Sequence, residues 1–250
     1  QDETHAIVRS FARTADFPVK WVTHPHRGFR AALSRNDGVR ATTVPYLVFV
    51  DGDCLLPEDH LRNHLLARRP GVVRAGDCLR LDKTATERID SAAIDSGAYR
   101  NWISGEERQR LFQKKLKDRY YQWIRHTAKP KLISCDIGIW RDDFEAVNGF
   151  DEQFVGWGCE DDDLGIRLRL AGRRVLSTLG YTHGYHMWHP TEPSRPEKWN
   201  DGANVRRLQI DRPIQCVHGL ISTSEETDSF PRVAAEISAD RSTAKVQDAA

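Results

Sequence analysis

The sequence predicts an α/β fold with a mainly parallel sheet. Apolar residues at helical spacing, as from Ala6 to Ala12, alternate with short apolar strands such as Val19 to Thr23. The run from Tyr46 to Val50 has no polar break, as expected of a strand covered on both faces. It is followed at once by Asp51-Gly52-Asp53, beyond the carboxyl end of the strand, where ligands collect in such sheets. The pattern thus predicts both the fold class and the edge that carries the chemistry.

The remaining elements continue this alternation. Helices are predicted from Phe29 to Arg40 and from Leu61 to about Arg69, and short strands at residues 72–76 and 174–179. Residues 82–104 are polar and poorly periodic. From about residue 222, Ser, Thr, Glu, Asp and Ala dominate, which predicts a flexible C-terminal tail at 222–250. Residues 1–221 are predicted to form one large domain.

Composition argues against several classes of function. The 250 residues carry 37 basic and 36 acidic side chains, a net charge of +1, so no overall field favours nucleic acid as a partner. The sequence contains no run of about 18 apolar residues, as a membrane span requires. Five scattered cysteines without a C-x-x-C pair do not form a recognisable disulfide framework or zinc ribbon. A soluble protein of a reducing cytoplasm is therefore expected.

One segment departs from this balance of charge. Glu106 to Lys131 holds nine Lys or Arg against three acids, a local charge of +6, interleaved with large apolar residues. This pattern predicts a basic amphipathic helix. It is expected to meet an anionic acceptor or the inner face of a membrane. The equally weighted alternative is an ordinary solvated helix that is packed through its aromatic stripe.

The Asp51-Gly52-Asp53 segment has the chemistry of a cation site. Two carboxylates separated by glycine at the end of a buried strand can face a divalent cation, and the glycine lets another group approach closely. A nucleotide diphosphate would share that cation. The alternative is ordinary turn chemistry, because Asp-Gly-Asp is also common after a strand.

A second acidic group is predicted at the entrance of a helix. Glu160 to Asp163 are four consecutive acids, followed by apolar residues at helical spacing up to Gly172. Acids at a helix N-terminus are favoured by the helix dipole, at about 0.3 to 1 kcal/mol each, so capping is one reading. Four in a row exceed that need because they repel one another. Trp157, in the glycine-rich stretch before them, offers an apolar platform for a sugar ring.

Histidines follow the strand predicted at residues 174–179. His186 and His189 are three residues apart and, if the fold closes over the Asp-Gly-Asp segment, can bring imidazole nitrogens to the same cation. Exposed or structural histidines are the more common alternative.

Together these motifs resemble GT-A glycosyltransferases of the family 2 type, with a galactosyltransferase-like C-terminal pattern. Residues 24–38 resemble the family's G-x-x-x-A-R-N-x-G region, and Asp51-Gly52-Asp53 resembles its D-x-D metal motif. Residues 150–163 are similar to the pattern G-F-x-x-x-[FY]-x-G-W-G-x-E-D-x-D, which is the most specific match. The resemblance extends from Asp2 to about Asn204.

The resemblance implies a Rossmann-like GT-A fold and a Mn²⁺ or Mg²⁺ cofactor. It also implies a nucleotide-sugar donor, by default UDP-linked, and a glycan or lipid-linked saccharide acceptor. The residues implied are the catalytic base Asp161; the acceptor contacts Trp157, Glu160 and Asp162; the donor contacts Arg27, Arg30, Arg35, Asn36, Asp51 and Asp136; and the metal ligands Asp51, Asp53, His186 and His189.

The function implied is inverting sugar transfer in bacterial surface polysaccharide synthesis, in the cytoplasm or peripherally on the inner membrane face. Residues 1–80 would form a partial nucleotide-sugar-binding half, lacking the family's first strands, and residues 81–221 the acceptor-binding and catalytic half. Two alternatives stay open. One is a glycoside hydrolase with Glu160 and Asp161 as its acid-base pair. The other is a non-catalytic module that binds sugar and metal.

Overall fold

The computed structural model describes residues 3–192, 195–222 and 233–237. The helices are α1 (Thr4–Ala12), α2 (Ala31–Arg40), α3 (His60–Ala67), α4 (Lys83–Glu87), α5 (Ser91–Ser96), α6 (Gly105–Trp123), α7 (Arg141–Glu145), α8 (Glu160–Leu170), α9 (Arg195–Trp199) and α10 (Ala203–Gln209). The strands are β1 (Val19–Thr23), β2 (Tyr46–Phe49), β3 (Cys54–Leu55), β4 (Val72–Ala75), β5 (Cys78–Arg80), β6 (Ile137–Trp140), β7 (Arg174–Ser177), β8 (Gly184–His186) and β9 (Val233–Ile237). The predicted α/β class is confirmed.

The central sheet has the strand order β2-β6-β4-β7. Only the pair β4 and β7 is parallel in it, whereas β6 runs antiparallel to both of its neighbours. The prediction of a mainly parallel sheet is therefore wrong for the described strands. An unbroken apolar run such as β2 reports that both faces of the sheet are covered, and it carries no information about the direction of the neighbouring strand.

A smaller sheet with the order β3-β8-β5 lies beyond the end of β2. β3 pairs antiparallel with β8, with Cys54 opposite His186. Because β3 begins directly after Asp51-Gly52-Asp53, this pairing brings the acidic loop beside the histidine segment. The small sheet is thus the element that assembles the site.

Two apolar clusters hold these sheets. The larger one packs β4, β6 and α8 together, through side chains such as Val73, Ile137, Phe144, Phe150 and Leu164. Their burial is the main favourable term in folding, at roughly 25 cal/mol per Å² of apolar surface. A second cluster underlies α6 and the small sheet and includes Leu79, Leu81, Tyr99, Leu111 and Tyr185. The predicted helix from Glu106 to Lys131 ends earlier than expected, at Trp123.

The predicted tail is described only in part. Residues 233–237 form β9, which pairs antiparallel with β1. For these five residues the prediction of a loose tail is wrong, because Val-Ala-Ala-Glu-Ile has enough strand character to extend an edge. Residues 223–232 and 238–250 lie outside the described residues. No helix in the described part of the chain combines the length and the apolarity needed to cross a bilayer.

Candidate active site

A cleft of about 1060 Å³ opens at the carboxyl end of β2. Its lining comes from α2, β2, the acidic loop that follows β2, the end of β8 and the segment after it. The polar side chains among these lining residues include Arg35, Asp51, Asp53, His186 and His189. The volume is at the upper end of the range for small-molecule sites. Trp157 lines the same cleft from the turn before α8. The acidic loop, Trp157 and the two histidines, predicted from separate parts of the sequence, therefore share one cavity, whereas the acids from Glu160 to Asp163 are not part of its described lining.

Asp53, His186 and His189 form a cluster in this cleft. Nε2 of His186 lies 3.4 Å from Oδ2 of Asp53, and Nε2 of His189 lies 3.3 Å from the same oxygen. Their ligand atoms all lie within 4.8 Å of one another. The backbone supports this arrangement, since the Met187 N–H donates to the Asp53 carbonyl at 2.8 Å. A carboxylate with two imidazoles is a donor set that suits Mn²⁺ and similar divalent cations.

The electrostatics of Asp53 reflect its position. Partial burial raises the pKa of its carboxyl above the ordinary value, because burial penalises the charged form. The two histidines act in the opposite direction and Asp51 in the same direction as burial. A carboxylate that is costly to ionise without a cation nearby is consistent with a ligand position.

Asp51 is left out of this cluster and is held by Arg35 instead. Nη2 of Arg35 donates to Oδ1 of Asp51 at 2.8 Å, and Nη1 donates to Oε1 of Glu160 at 3.1 Å. Burial lowers the pKa of the guanidinium, but the two carboxylates outweigh burial and raise it. Arg35 is therefore a fixed cation that links the loop after β2 to the entrance of α8.

The four acids at the start of α8 avoid mutual repulsion because they point to different partners. Glu160 pairs with Arg35, Asp162 with Lys131 at 2.7 Å, and Asp163 with Arg167 at 2.7 Å. Oδ1 of Asp161 accepts from the backbone N–H of Asp162 at 2.8 Å. Glu160 and Asp163 are buried, whereas Asp161 is partly exposed. The acids thus divide into structural and accessible members that the sequence alone does not distinguish.

The turn that carries Trp157 is set by its backbone. Gly156 and Gly158 have φ values of 82° and 91°, a region that favours glycine. Asn204 of α10 fixes the turn by donating to the carbonyls of Val155 and Gly158, both at 3.0 Å. The Arg195 guanidinium lies 5.1 Å from the centre of the Trp157 ring. Contacts from α9 and α10 therefore position the indole at the cleft.

Two residues predicted as donor contacts are buried elsewhere. Asn36 is fully buried: its Nδ2 donates to the Phe150 carbonyl at 2.8 Å and to Glu152, and its Oδ1 accepts from the Phe150 N–H at 3.0 Å. Its prediction as a donor contact is wrong, because the amide ties α2 to the turn after α7. Asp136 is also fully buried, and an added Cβ on Gly76 would collide with it. That prediction is also wrong, because the Asp136 carboxyl lies in the core and is not part of the described lining of the cleft.

The structure gives Asp136 different partners, which sequence reasoning missed. Nε2 of His64 lies 2.7 Å from Oδ1 of Asp136, and Nε2 of His60 lies 3.4 Å from it. The three side chains are fully buried and their donor atoms lie within 4.8 Å of one another. The spacing of His60 and His64, four apart on one helix, was the available signal.

Arg27 and Arg30 precede α2 in the loop after β1. Nε of Arg30 donates to the Arg27 carbonyl at 3.3 Å. Among the described residues, the lining of the cleft includes Phe29 and Ala31 from this region but neither of the two arginines. Their role as donor contacts stays a prediction.

Comparisons with known proteins match both parts of the chain that line the cleft to families of glycosyltransferases. Residues 1–69 match the family model "Glycosyl transferase family 2", and residues 114–190 match "N-terminal domain of galactosyltransferase". The first segment contributes the acidic loop and the second contributes Trp157, His186 and His189. The chain is a relative of glycosyltransferases. The predicted resemblance is thereby confirmed, and the mixed α/β structure is consistent with a GT-A fold.

The individual relatives are enzymes of sugar transfer. Validoxylamine A glucosyltransferase of Streptomyces hygroscopicus subsp. jinggangensis (strain 5008) is 27% identical over 191 residues, which are 68% of this chain and 42% of the relative. Human beta-1,4-galactosyltransferase 5 is 35% identical over 86 residues, 34% of this chain and 21% of the relative. Mouse beta-1,4-galactosyltransferase 7 is 26% identical over 100 residues, 35% and 31% respectively. The chain spans less than half the length of these relatives.

Proposed function

We propose that this chain transfers a sugar from a nucleotide-sugar donor to a hydroxyl of a saccharide acceptor, with inversion and with the help of a divalent cation. The observation that carries the proposal is the convergence of both histidine Nε2 atoms on Oδ2 of Asp53, at 3.4 and 3.3 Å, inside the cleft. A hydrolase acid-base pair at Glu160 and Asp161 would not require this cluster.

On the donor side, Asp53, His186 and His189 would hold Mn²⁺ or Mg²⁺. When bound, such an ion acts as a Lewis acid that stabilises the negative charge on a departing nucleoside diphosphate. Asp51 keeps one oxygen on Arg35, and its other oxygen is free of that ion pair, so it suits a ribose hydroxyl or a water. The cationic Arg35 adds positive charge to the same wall of the cleft.

On the acceptor side, Asp161 would be the base that removes the proton of the attacking hydroxyl. Its partial exposure, next to buried Glu160, supports that role. A base on the face opposite the leaving group implies one direct displacement and inversion at the anomeric carbon. Trp157 would pack against a sugar ring, and Glu160 and Asp162 would accept hydrogen bonds from acceptor hydroxyls.

The finer assignment rests on the resemblance and on the relatives. A UDP-linked hexose or N-acetylhexosamine is the proposed donor, and a glycan or lipid-linked saccharide is the proposed acceptor, in bacterial surface polysaccharide synthesis. The named relatives transfer glucose and galactose, which supports a hexose. An enzyme that uses such donors would act in the cytoplasm or on the inner face of a membrane.

The test is release of nucleoside diphosphate from a panel of UDP-sugars with Mn²⁺, with and without saccharide acceptors. Transfer requires release that depends on the acceptor, and the product anomer read by NMR reports inversion. A saccharide that is hydrolysed without any nucleotide-sugar would instead make the chain a glycoside hydrolase. Donor binding without turnover, in this chain and in an N-terminally extended one, would make it a binding module.

A further inference from the structure

Helix α6 turns its aromatic stripe toward solvent. Phe112, Leu116, Tyr120 and Trp123 are 58, 49, 55 and 80% exposed. Their spacing of four, four and three residues puts them on one helical face. The alternative considered from the sequence, a helix packed through this stripe, is therefore wrong. The largest exposed apolar patches on soluble proteins are commonly interaction sites.

The opposite face of α6 anchors the helix. Leu111 is buried in the second apolar cluster, and Asp118 is buried and paired with Lys114 at 3.0 Å. Arg110 donates to Asp77 at 3.1 Å and to the Cys78 carbonyl at 2.7 Å, which fixes the helix to β5. These contacts fix the orientation of α6, so the helix cannot rotate to bury the exposed stripe.

Cations border the stripe on both sides. At 100° per residue, Arg108 and Arg119 fall on one flank and Lys117, beside Glu106, on the other, and all four are exposed. The 106–131 segment carries +6, while the remainder of the chain is net acidic. An apolar stripe of Phe, Leu, Tyr and Trp between Lys and Arg is the pattern of a helix that lies in the interface of a membrane.

We propose that this face of α6 docks on the surface of an anionic lipid bilayer. Trp123 and Tyr120 would sit at the headgroup level, where amphipathic rings are favoured, and the flanking cations would contact anionic headgroups. A second copy of the chain is disfavoured as the occupant, because two such faces bordered by cations repel each other. The inference is independent of sugar transfer, since α6 contributes no residue to the described lining of the cleft.

The experiment is co-sedimentation of the full chain with vesicles of phosphatidylcholine, with or without phosphatidylglycerol. The stripe variant combines Phe112→Ser, Leu116→Ser and Trp123→Ser, and the rim variant combines Arg108→Gln, Lys117→Gln and Arg119→Gln. One matched control is the triple variant Leu61→Ser, Leu65→Ser and Leu66→Ser, at three exposed apolar positions of α3. The other is the triple variant Arg9→Gln, Arg13→Gln and Arg62→Gln, which removes the same charge from exposed positions. All variants are checked by circular dichroism and by size-exclusion chromatography.

We expect binding to anionic vesicles that is about a hundredfold weaker in the rim variant and at least about tenfold weaker in the stripe variant. Both controls should bind like the native chain, and added salt should weaken native binding because the attraction is screened. The proposal is overturned if the native and variant chains co-sediment equally with anionic vesicles, or if the native chain co-sediments equally with anionic and neutral vesicles. The proposal is also overturned if the native chain is an oligomer that does not bind lipid and the stripe variant is a monomer. That result would assign the face to a second copy.

Discussion

Arg35 and Glu160 lie 125 residues apart in the chain and are joined by an ion pair of 3.1 Å between Nη1 and Oε1. The same guanidinium holds Asp51 at 2.8 Å. The second oxygen of Glu160, Oε2, is buried and makes no hydrogen bond within the described residues. One arginine therefore ties the proposed donor side of the cleft to the proposed acceptor side, and it leaves a carboxylate oxygen available to a ligand.

Replacing Arg35 by Lys is predicted to uncouple the two sides. An ammonium is a point charge and cannot keep both hydrogen bonds in the planar geometry of a guanidinium. We expect kcat/KM for transfer to fall about ten- to a hundredfold, with a loss of about 1 to 2 kcal/mol in the free energy of unfolding. Steady-state kinetics and urea unfolding measure the two effects.

Replacing Arg35 by Ala should cost more, about 3 kcal/mol, because it leaves the buried Glu160 carboxylate without its cation. Adding Glu160→Gln to that variant removes the unpaired charge and should restore part of the stability. An Arg35→Ala chain as stable as the native one would show that the ion pair does not hold the site together.

The metal assignment predicts a difference between two neighbouring acids. Asp53→Asn removes the carboxylate on which both histidines converge and should weaken Mn²⁺ binding at least about a hundredfold. Asp51→Asn is the matched control, because Asp51 is paired with Arg35, and should change the affinity much less. Electron paramagnetic resonance of free Mn²⁺, in a titration with UDP present, measures the Mn²⁺ affinity of both variants. Equal affinities in the two variants would contradict the assignment.

The two histidines should act together. Since each Nε2 lies within 3.4 Å of Oδ2 of Asp53, His186→Gln and His189→Gln are each predicted to weaken Mn²⁺ binding. The double variant should lose binding to about the level of Asp53→Asn. A variant of either histidine that binds Mn²⁺ like the native chain excludes that histidine from the site.

The proposed base predicts a selective loss of turnover. Asp161→Asn should lower kcat about a hundredfold or more while donor affinity is kept, because an amide cannot take the proton of the acceptor hydroxyl. Asn preserves a capping role at the start of α8, so the fold should be unaffected. Asp142→Asn, at an exposed acid in the first turn of α7, is the control and should leave kcat unchanged. Near-normal turnover in Asp161→Asn would assign the residue to capping.

The sequence predicted local chemistry better than the direction of strands or side chains. It selected Asp53, His186 and His189, which the structure brings together, because a D-x-D segment after a buried strand and a late His-x-x-His pair carry their own chemical signal. Their role as metal ligands stays a prediction. Asn36 and Asp136 were misassigned because a motif fixes a residue type and leaves open whether the side chain faces the cleft or the core. That choice depends on packing between distant elements, such as Asn36 against Phe150, which no local pattern encodes.

The buried group of His60, His64 and Asp136 offers a test of that packing in solution. Burial raises the pKa of the Asp136 carboxyl, but the hydrogen bonds and charges of His60 and His64 outweigh it, so the pKa lies below its ordinary value. In acid, the unfolded chain therefore binds a proton that the folded chain does not. The stabilisation from Asp136 is complete above the ordinary carboxyl pKa of about 3.9 and is lost as the pH falls through the lowered pKa of the folded state.

Asp136→Asn is accordingly predicted to lower the free energy of unfolding by about 2 to 4 kcal/mol at neutral pH, because it breaks a buried charged hydrogen bond to His64. It should also flatten the rise of stability with pH across the acid range, because the group that titrates there is gone. Urea unfolding of both chains from acid to neutral pH measures the two effects. Asp95→Asn, at an exposed position of α5, is the control and should follow the native curve. If Asp136→Asn keeps the native dependence of the free energy of unfolding on pH in acid, the lowered pKa belongs to another carboxylate. The buried group would then stabilise the fold through packing and not through the charge of Asp136.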